Sequence, residues 1–134
     1  DLVEEVPILL LIMDDAGNAC FNHTFMKDWD FSKLFSSFMS AFNTFSSEIF
    51  SKTIDRIKIG ENIIFIEPVG PFLTCYVSKG QSYPAIKKLN KFSDTIKNKS
   101  EIWKRLKMAA ESSQELNVDN LPLLKTVVNE IFAH

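Results

Sequence analysis

A chain of 134 residues with 46% hydrophobic and 24% charged side chains has the length and composition of one globular domain that can bury a core without staples, which excludes a disordered segment. Fifteen Lys and Arg against 17 Asp and Glu leave a formal net charge of -2, a balance that argues against a nucleic-acid binder. The longest apolar run, Pro7 to Met13, is far too short to span a bilayer, and no basic stretch precedes it as in a signal peptide, so the expectation is a soluble, cytoplasmic protein without an integral membrane segment.

The chain begins at Asp1 rather than at a methionine, which suggests a domain excised from a longer protein or a trimmed chain. Leu2 to Val6 reads as a short acidic lead. Pro7 to Met13 is apolar at every position, as expected of a central strand covered on both sides. Asp14 to Asn18 supplies turn chemistry, and Ala19 to Phe25 a second strand, so the two should form a hairpin. Two adjacent acids in such a turn resemble a metal site or an acid–base pair, but no third ligand lies nearby.

Asp30 to Phe50 organises the rest. Phe31, Phe35, Phe38, Phe42, Phe45 and Ile49 fall in a helical sector of about 80°, with Leu34 and Met39 just outside it, which predicts a long helix pressed onto a sheet. Asp30 or Ser32 serves as its cap, and Ser51-Lys52-Thr53 ends it. The opposite face carries Ser36, Ser37, Ser40, Asn43, Thr44 and Ser47, with Lys33 and Glu48 as its only charges. These are indifferent helix formers, so propensity did not select them. Small neutral side chains let another backbone approach without stripping charges of water, which suits a partner as well as plain solvation.

Ile54 to Ile59 reads as an edge strand in which Ile57 and Ile59 alternate with Arg56 and Lys58. Ile63 to Glu67 makes the next strand, Pro68 to Pro71 breaks it, and Phe72 to Val77 forms the last. A helix starts near Tyr83 or Pro84, with Ser82 as a cap. It buries Ala85, Ile86, Leu89, Phe92 and Ile96, and turns Lys87, Lys88 and Lys91 outward. The preceding Ser78 to Ser82 offers a weak anion-binding signal without a phosphate-loop motif. Ile102, Trp103, Leu106, Met108 and Ala109 continue the helical spacing, either past a bend near Asn98 or in a second helix from Ser100 with Glu101 in its first turn. Glu111 to Asn120 is polar and loop-like. Asn120 caps a last helix whose apolar face is Leu121, Leu124, Val127, Val128, Ile131 and Phe132.

The expected fold is therefore of α/β composition in the α+β arrangement. It is a single domain over residues 1–134, with a five-stranded antiparallel sheet in the order 2-1-5-4-3. One long helix lies on one face and two or three carboxyl-terminal helices on the other. No cofactor is expected. Cys20 and Cys75 lie in strands and form no CxxC pair, so free buried thiols are the simplest reading, with one disulfide or a reactive thiol left open. His23 and His134 are too scattered for a metal site.

This succession, with IMDDAGN at the first hairpin, the long amphipathic helix after the second strand, and PFLTCYVSKGQSYPAIKKLNKF carrying the last strand into a helix, resembles the longin and roadblock domains of the profilin-like group. The resemblance covers nearly the whole chain and rests on element order. It implies a non-enzymatic platform that pairs with itself or a paralogous domain and associates with small GTPases, in vesicle trafficking, nutrient signalling or polarity control. It also implies a contact surface on the helix after the second strand and the adjoining edge strand: Ser36, Ser37, Ser40, Asn43, Thr44, Ser47, Arg56 and Lys58. Roadblock domains open with a helix that this chain lacks room for, and the sequence after Ser100 exceeds their single closing helix.

The alternative is a PAS-like small-molecule sensor, in which Phe35, Phe38, Phe42, Phe65 and Tyr76 line a cavity between sheet and helix. An enzyme using Cys20 or Cys75 with His23 lacks any oxyanion-binding motif, so no enzymatic activity is expected.

Overall fold

The computed structural model describes residues 4–27 and 32–133. Elements follow as β1 (Val6–Asp14), β2 (Ala19–Thr24), α1 (Ser32–Phe50), β3 (Arg56–Ile59), β4 (Asn62–Val69), β5 (Phe72–Lys79), α2 (Ser82–Asn98), α3 (Ser100–Ser112) and α4 (Pro122–Phe132). The five strands form one antiparallel sheet in the order β2-β1-β5-β4-β3, as the sequence pattern predicts. Asp30, Phe31, His134 and the start of the acidic lead lie outside the described residues.

β1 is buried on both faces because its side chains feed two separate cores. Ile8, Leu9, Leu11 and Met13 join α1 on one side, while Leu10 and Ile12 join α2, α3 and α4 on the other. A register shift between Pro7 and Leu9 against β5 puts the neighbours Ile8 and Leu9 in the same core. Across the other strands the alternation is regular: Ile64, Ile66, Leu73, Cys75 and Val77 face α1, and Phe65, Phe72 and Tyr76 face the three-helix layer. Phe132 of α4 centres that layer, with its ring 4.8 Å from Tyr76, 5.6 Å from Phe25 and 5.8 Å from Phe92.

Pro68 does not break β4; the strand runs through it to Val69. β3 pairs only with the first half of β4, and the Ile66 amide, pointing to that side, already donates to the Asp55 carbonyl. Two residues on, the ring nitrogen of Pro68 points to the same side, where no strand runs, so no ladder bond is lost. At the β4–β5 turn Gly70 has a φ of +59°, and a Cβ there would stand 3.0 Å from the Trp103 ring of α3. Glycine is needed for both reasons.

Helix boundaries differ from expectation by about a residue. Ser82 is the first residue of α2 rather than its cap; Gln81 holds that place without a side-chain bond. A second helix does begin at Ser100, with Lys99 between the two. α3 extends to Ser112, and Met108 faces solvent instead of the core. Asn120 does not cap α4, because Leu121 occupies that position and the Asn120 side chain instead accepts from the Asn117 amide at 2.9 Å.

Candidate interaction surfaces

α1 buries Leu34, Phe38, Phe42 and Ile49, so the predicted stripe exists but its centre is shifted toward Leu34. Phe35 and Met39 sit at its rim. Phe45 is the exception: it is 44% exposed, although an unbroken helix would place it in the middle of the buried sector. Its own backbone explains this, with φ -120° and ψ 22° marking a kink. The Thr44 hydroxyl immediately before donates back to the Ser40 carbonyl at 3.0 Å, a side-chain bond of the kind that bends helices.

Ser36, Ser37, Ser40, Asn43, Thr44 and Ser47 are all exposed, so the neutral face is presented as the sequence suggested, now with the Phe45 ring also at the surface. Beside it, Ile57 and Ile59 of β3 pack into the core under α1. Arg56 and Lys58 are exposed but turn to the other side of the sheet. The Arg56 guanidinium stands 5.3 Å above the Phe65 ring, and its Nε donates to Asp55 Oδ1 at 3.2 Å. Of the residues singled out, the structure thus gathers the six on α1 into one surface. It sets Arg56 and Lys58 around the corner, joined to that surface only through the β3 backbone.

The two edges of the sheet are unlike. The Leu116 amide donates to the Cys20 carbonyl at 2.7 Å, the Asn22 amide donates to the Leu116 carbonyl at 3.3 Å, and the Asn22 side chain bonds to the Glu115 carboxylate. Leu116 therefore closes the β2 edge with a short parallel bridge. Sequence reasoning missed this; the signal is the pair of apolar residues Leu116 and Val118 inside a polar stretch, at the two-residue spacing of a strand. β3 is the end strand at the other edge, and among the described residues its outer side pairs with no strand.

A second missed feature is polar and buried. Glu5, read as part of a short acidic lead, is buried; it accepts a hydrogen bond from the Tyr76 hydroxyl and pairs with Lys88 Nζ at 2.5 Å. Burial, with the Glu5 carboxylate beside it, pushes the Tyr76 hydroxyl well above its usual range. Lys88 accordingly is not turned outward as expected; its side chain is only 12% exposed.

The other candidates disperse. Asp14 spends its carboxylate on the hairpin, accepting from the amides of Ala16 (3.0 Å) and Asn18 (2.8 Å). Among the described residues no group of three His, Cys, Asp or Glu could hold a metal. Lys79, in the possible anion loop, is paired with Glu61 at 3.7 Å. Cys20 and Cys75 are free and buried in opposite cores, so the sheet separates them. Burial raises both thiols, Cys20 to about 11, and leaves little thiolate at neutral pH. The five rings proposed to line a sensor cavity are likewise divided: Phe35, Phe38 and Phe42 lie on the α1 side, Phe65 and Tyr76 on the other. The space enclosed by Phe35, Phe38 and the sheet amounts to about 10 Å³, and a groove of about 220 Å³ beside Phe35, Leu9 and Leu11 is lined by neither Phe38, Phe42, Phe65 nor Tyr76.

No helix among the described residues is long and apolar enough to cross a membrane. No protein-family model matches the sequence, and no curated protein matches it. Among solved structures, the chain is similar to the crystal structure of MglC from Myxococcus xanthus, at 7% identity and a TM-score of 0.44, over 78% of this chain and 88% of that one.

Proposed function

We propose that this chain is a non-enzymatic interaction module of the longin or roadblock kind. It pairs with itself or a paralogous domain across α1 and β3, and in that form engages a small GTPase or a trafficking or signalling complex in the cytoplasm. The carrying observation is the adjacency of an exposed helix face, charged only at Lys33 and Glu48, to the open edge of the sheet, while Leu116 closes the opposite edge. Ser36, Ser40, Asn43 and Ser47 let a second helix approach closely, the Phe45 ring supplies an apolar anchor, and β3 offers backbone groups for strand pairing. Arg56 and Lys58 form the rim, where exposed charges steer a partner more than they hold it. The link to GTPases rests on the element order shared with longin and roadblock domains.

Light scattering at tens of micromolar tests the pairing: the native chain should have the mass of a dimer and Ser40→Arg that of a monomer. A monomeric native chain, with no binding to purified small GTPases in either nucleotide state, would remove the proposal.

A further inference from the structure

The net charge of -2 conceals a strong separation of charge along the chain. Between Lys79 and Ser112, which is α2, α3 and the approach to them, there are nine Lys or Arg against three acids, Asp94, Glu101 and Glu111, while the rest carries six cations against fourteen carboxylates. Both helices bury their inner sides in the same core, through Ala85, Leu89, Phe92 and Ile96 and through Ile102, Leu106 and Ala109, so their outer sides turn away from the sheet. Three of the nine charges are engaged: Lys79 with Glu61, Lys88 with Glu5, and Arg105 with the Asn120 carbonyl. The other six, Lys87, Lys91, Lys97, Lys99, Lys104 and Lys107, are exposed and form no ion pair among the described residues.

Two large apolar side chains stand out among these lysines, Tyr83 at 71% exposure and Met108 at 59%, the highest values for large hydrophobic residues among those described. Lys87 Nζ lies 5.4 Å from the centre of the Tyr83 ring, so cation and ring share one spot on the surface.

We propose that the outward side of α2 and α3 docks on an anionic lipid bilayer. The chemistry favours that occupant over other polyanions. Every exposed cation here is a lysine, a hydrated point charge suited to a diffuse negative surface, and not the arginine fork that grips a nucleic-acid phosphate or base edge. Tyr83 and Met108 protrude singly among charges instead of lining a pocket, as side chains do that dip into a headgroup layer. The face lies on the opposite side of the sheet from α1, so a docked molecule keeps its neutral helix and β3 edge accessible.

Co-sedimentation with phosphatidylcholine vesicles, with and without phosphatidylserine, tests this. The full chain should pellet with the phosphatidylserine vesicles only, and high salt should release it as the Debye length shrinks. Replacing Lys87, Lys91, Lys104 and Lys107 together by Gln should lower partitioning by more than about tenfold, given roughly fivefold per lysine. Tyr83→Ser with Met108→Ser should lower it further at equal charge, and Lys33→Gln on α1, across the sheet, should leave it unchanged where Lys87→Gln alone lowers it about fivefold. The proposal is overturned if neutral and anionic vesicles bind alike, if Lys33→Gln lowers partitioning as much as Lys87→Gln, or if duplex DNA or polyglutamate binds more tightly than the vesicles.

Discussion

The two sides of the sheet are built by different rules. On one, a single kinked helix rests on β1, β4 and β5 through four buried side chains, and its outer surface is nearly free of charge. On the other, three helices enclose a larger core centred on Phe132, Tyr76 and Phe92, and α2 and α3 carry five exposed lysines, Lys87, Lys91, Lys97, Lys104 and Lys107, against one on α4. A neutral surface favours an approach close enough for backbones to meet, whereas a basic one acts over about a Debye length. The contrast suggests short-range pairing on the first side and longer-range attraction on the second, with β1 buried between them.

Four measurements break or sharpen this contrast. The largest effect is expected in the three-helix core: Phe132→Ala should cost about 3 to 5 kcal/mol in denaturant unfolding, whereas Phe35→Ala at the rim of α1 should cost roughly 1 to 2 kcal/mol. Equal losses would mean that the layers do not differ in packing. Next comes the buried pair. Glu5→Ala, which takes the carboxylate from the nearly buried Lys88 and the Tyr76 hydroxyl, should cost about 3 kcal/mol, while Glu5→Leu combined with Lys88→Met and Tyr76→Phe, which removes all three polar groups together, should cost less. A small loss in the single variant would show that the amino-terminal residues do not help to fasten the three-helix layer.

The third measurement uses pH. Burial lowers the His23 pKa below its ordinary 6.5, against an opposing pull from Asp119. The folded state therefore binds this proton more weakly than the unfolded one, and stability should fall as pH drops below about 6.5. Glu67 and Glu115 are shifted the opposite way for carboxylates: burial above all raises both, so they favour the folded state as pH falls toward their ordinary value near 4.5. In urea titrations at a series of pH values, His23→Gln should abolish the loss just below pH 6.5 and leave the carboxylate contribution. An unchanged profile would remove His23 as its source. The smallest stability effect belongs to the neutral face, where Ser40→Arg should alter unfolding by less than about 0.5 kcal/mol at a concentration low enough for the native chain to be monomeric, while changing the mass at tens of micromolar. A large destabilisation there would mark the serines as structural.

Strand order and helix placement were legible because period and turn chemistry are local. Pro7 to Met13 is apolar throughout because both cores draw on it, and glycines at the hairpin turns mark where the chain reverses. The candidate surface was legible in part: the six small polar residues of α1 follow from helical spacing alone. Arg56 and Lys58 were grouped with them because they are near in sequence, whereas alternation along β3 sends their side chains to the other side of the sheet.

The sequence by itself determined which residues are apolar, at what spacing, and hence the five strands and the layers that cover them. Tertiary structure decided what spacing cannot encode. The Thr44 bond to Ser40 precedes the kink that turns Phe45 outward; Glu5 meets Tyr76 and Lys88 only once β1, β5 and α2 have assembled; Leu116 finds the β2 edge from more than ninety residues away. Each depends on partners far apart in the chain or on a backbone angle set by packing. The gathering of the lysines is similar, since their charge is written in order along the chain but faces one way only because α2 and α3 bury their opposite sides in a shared core.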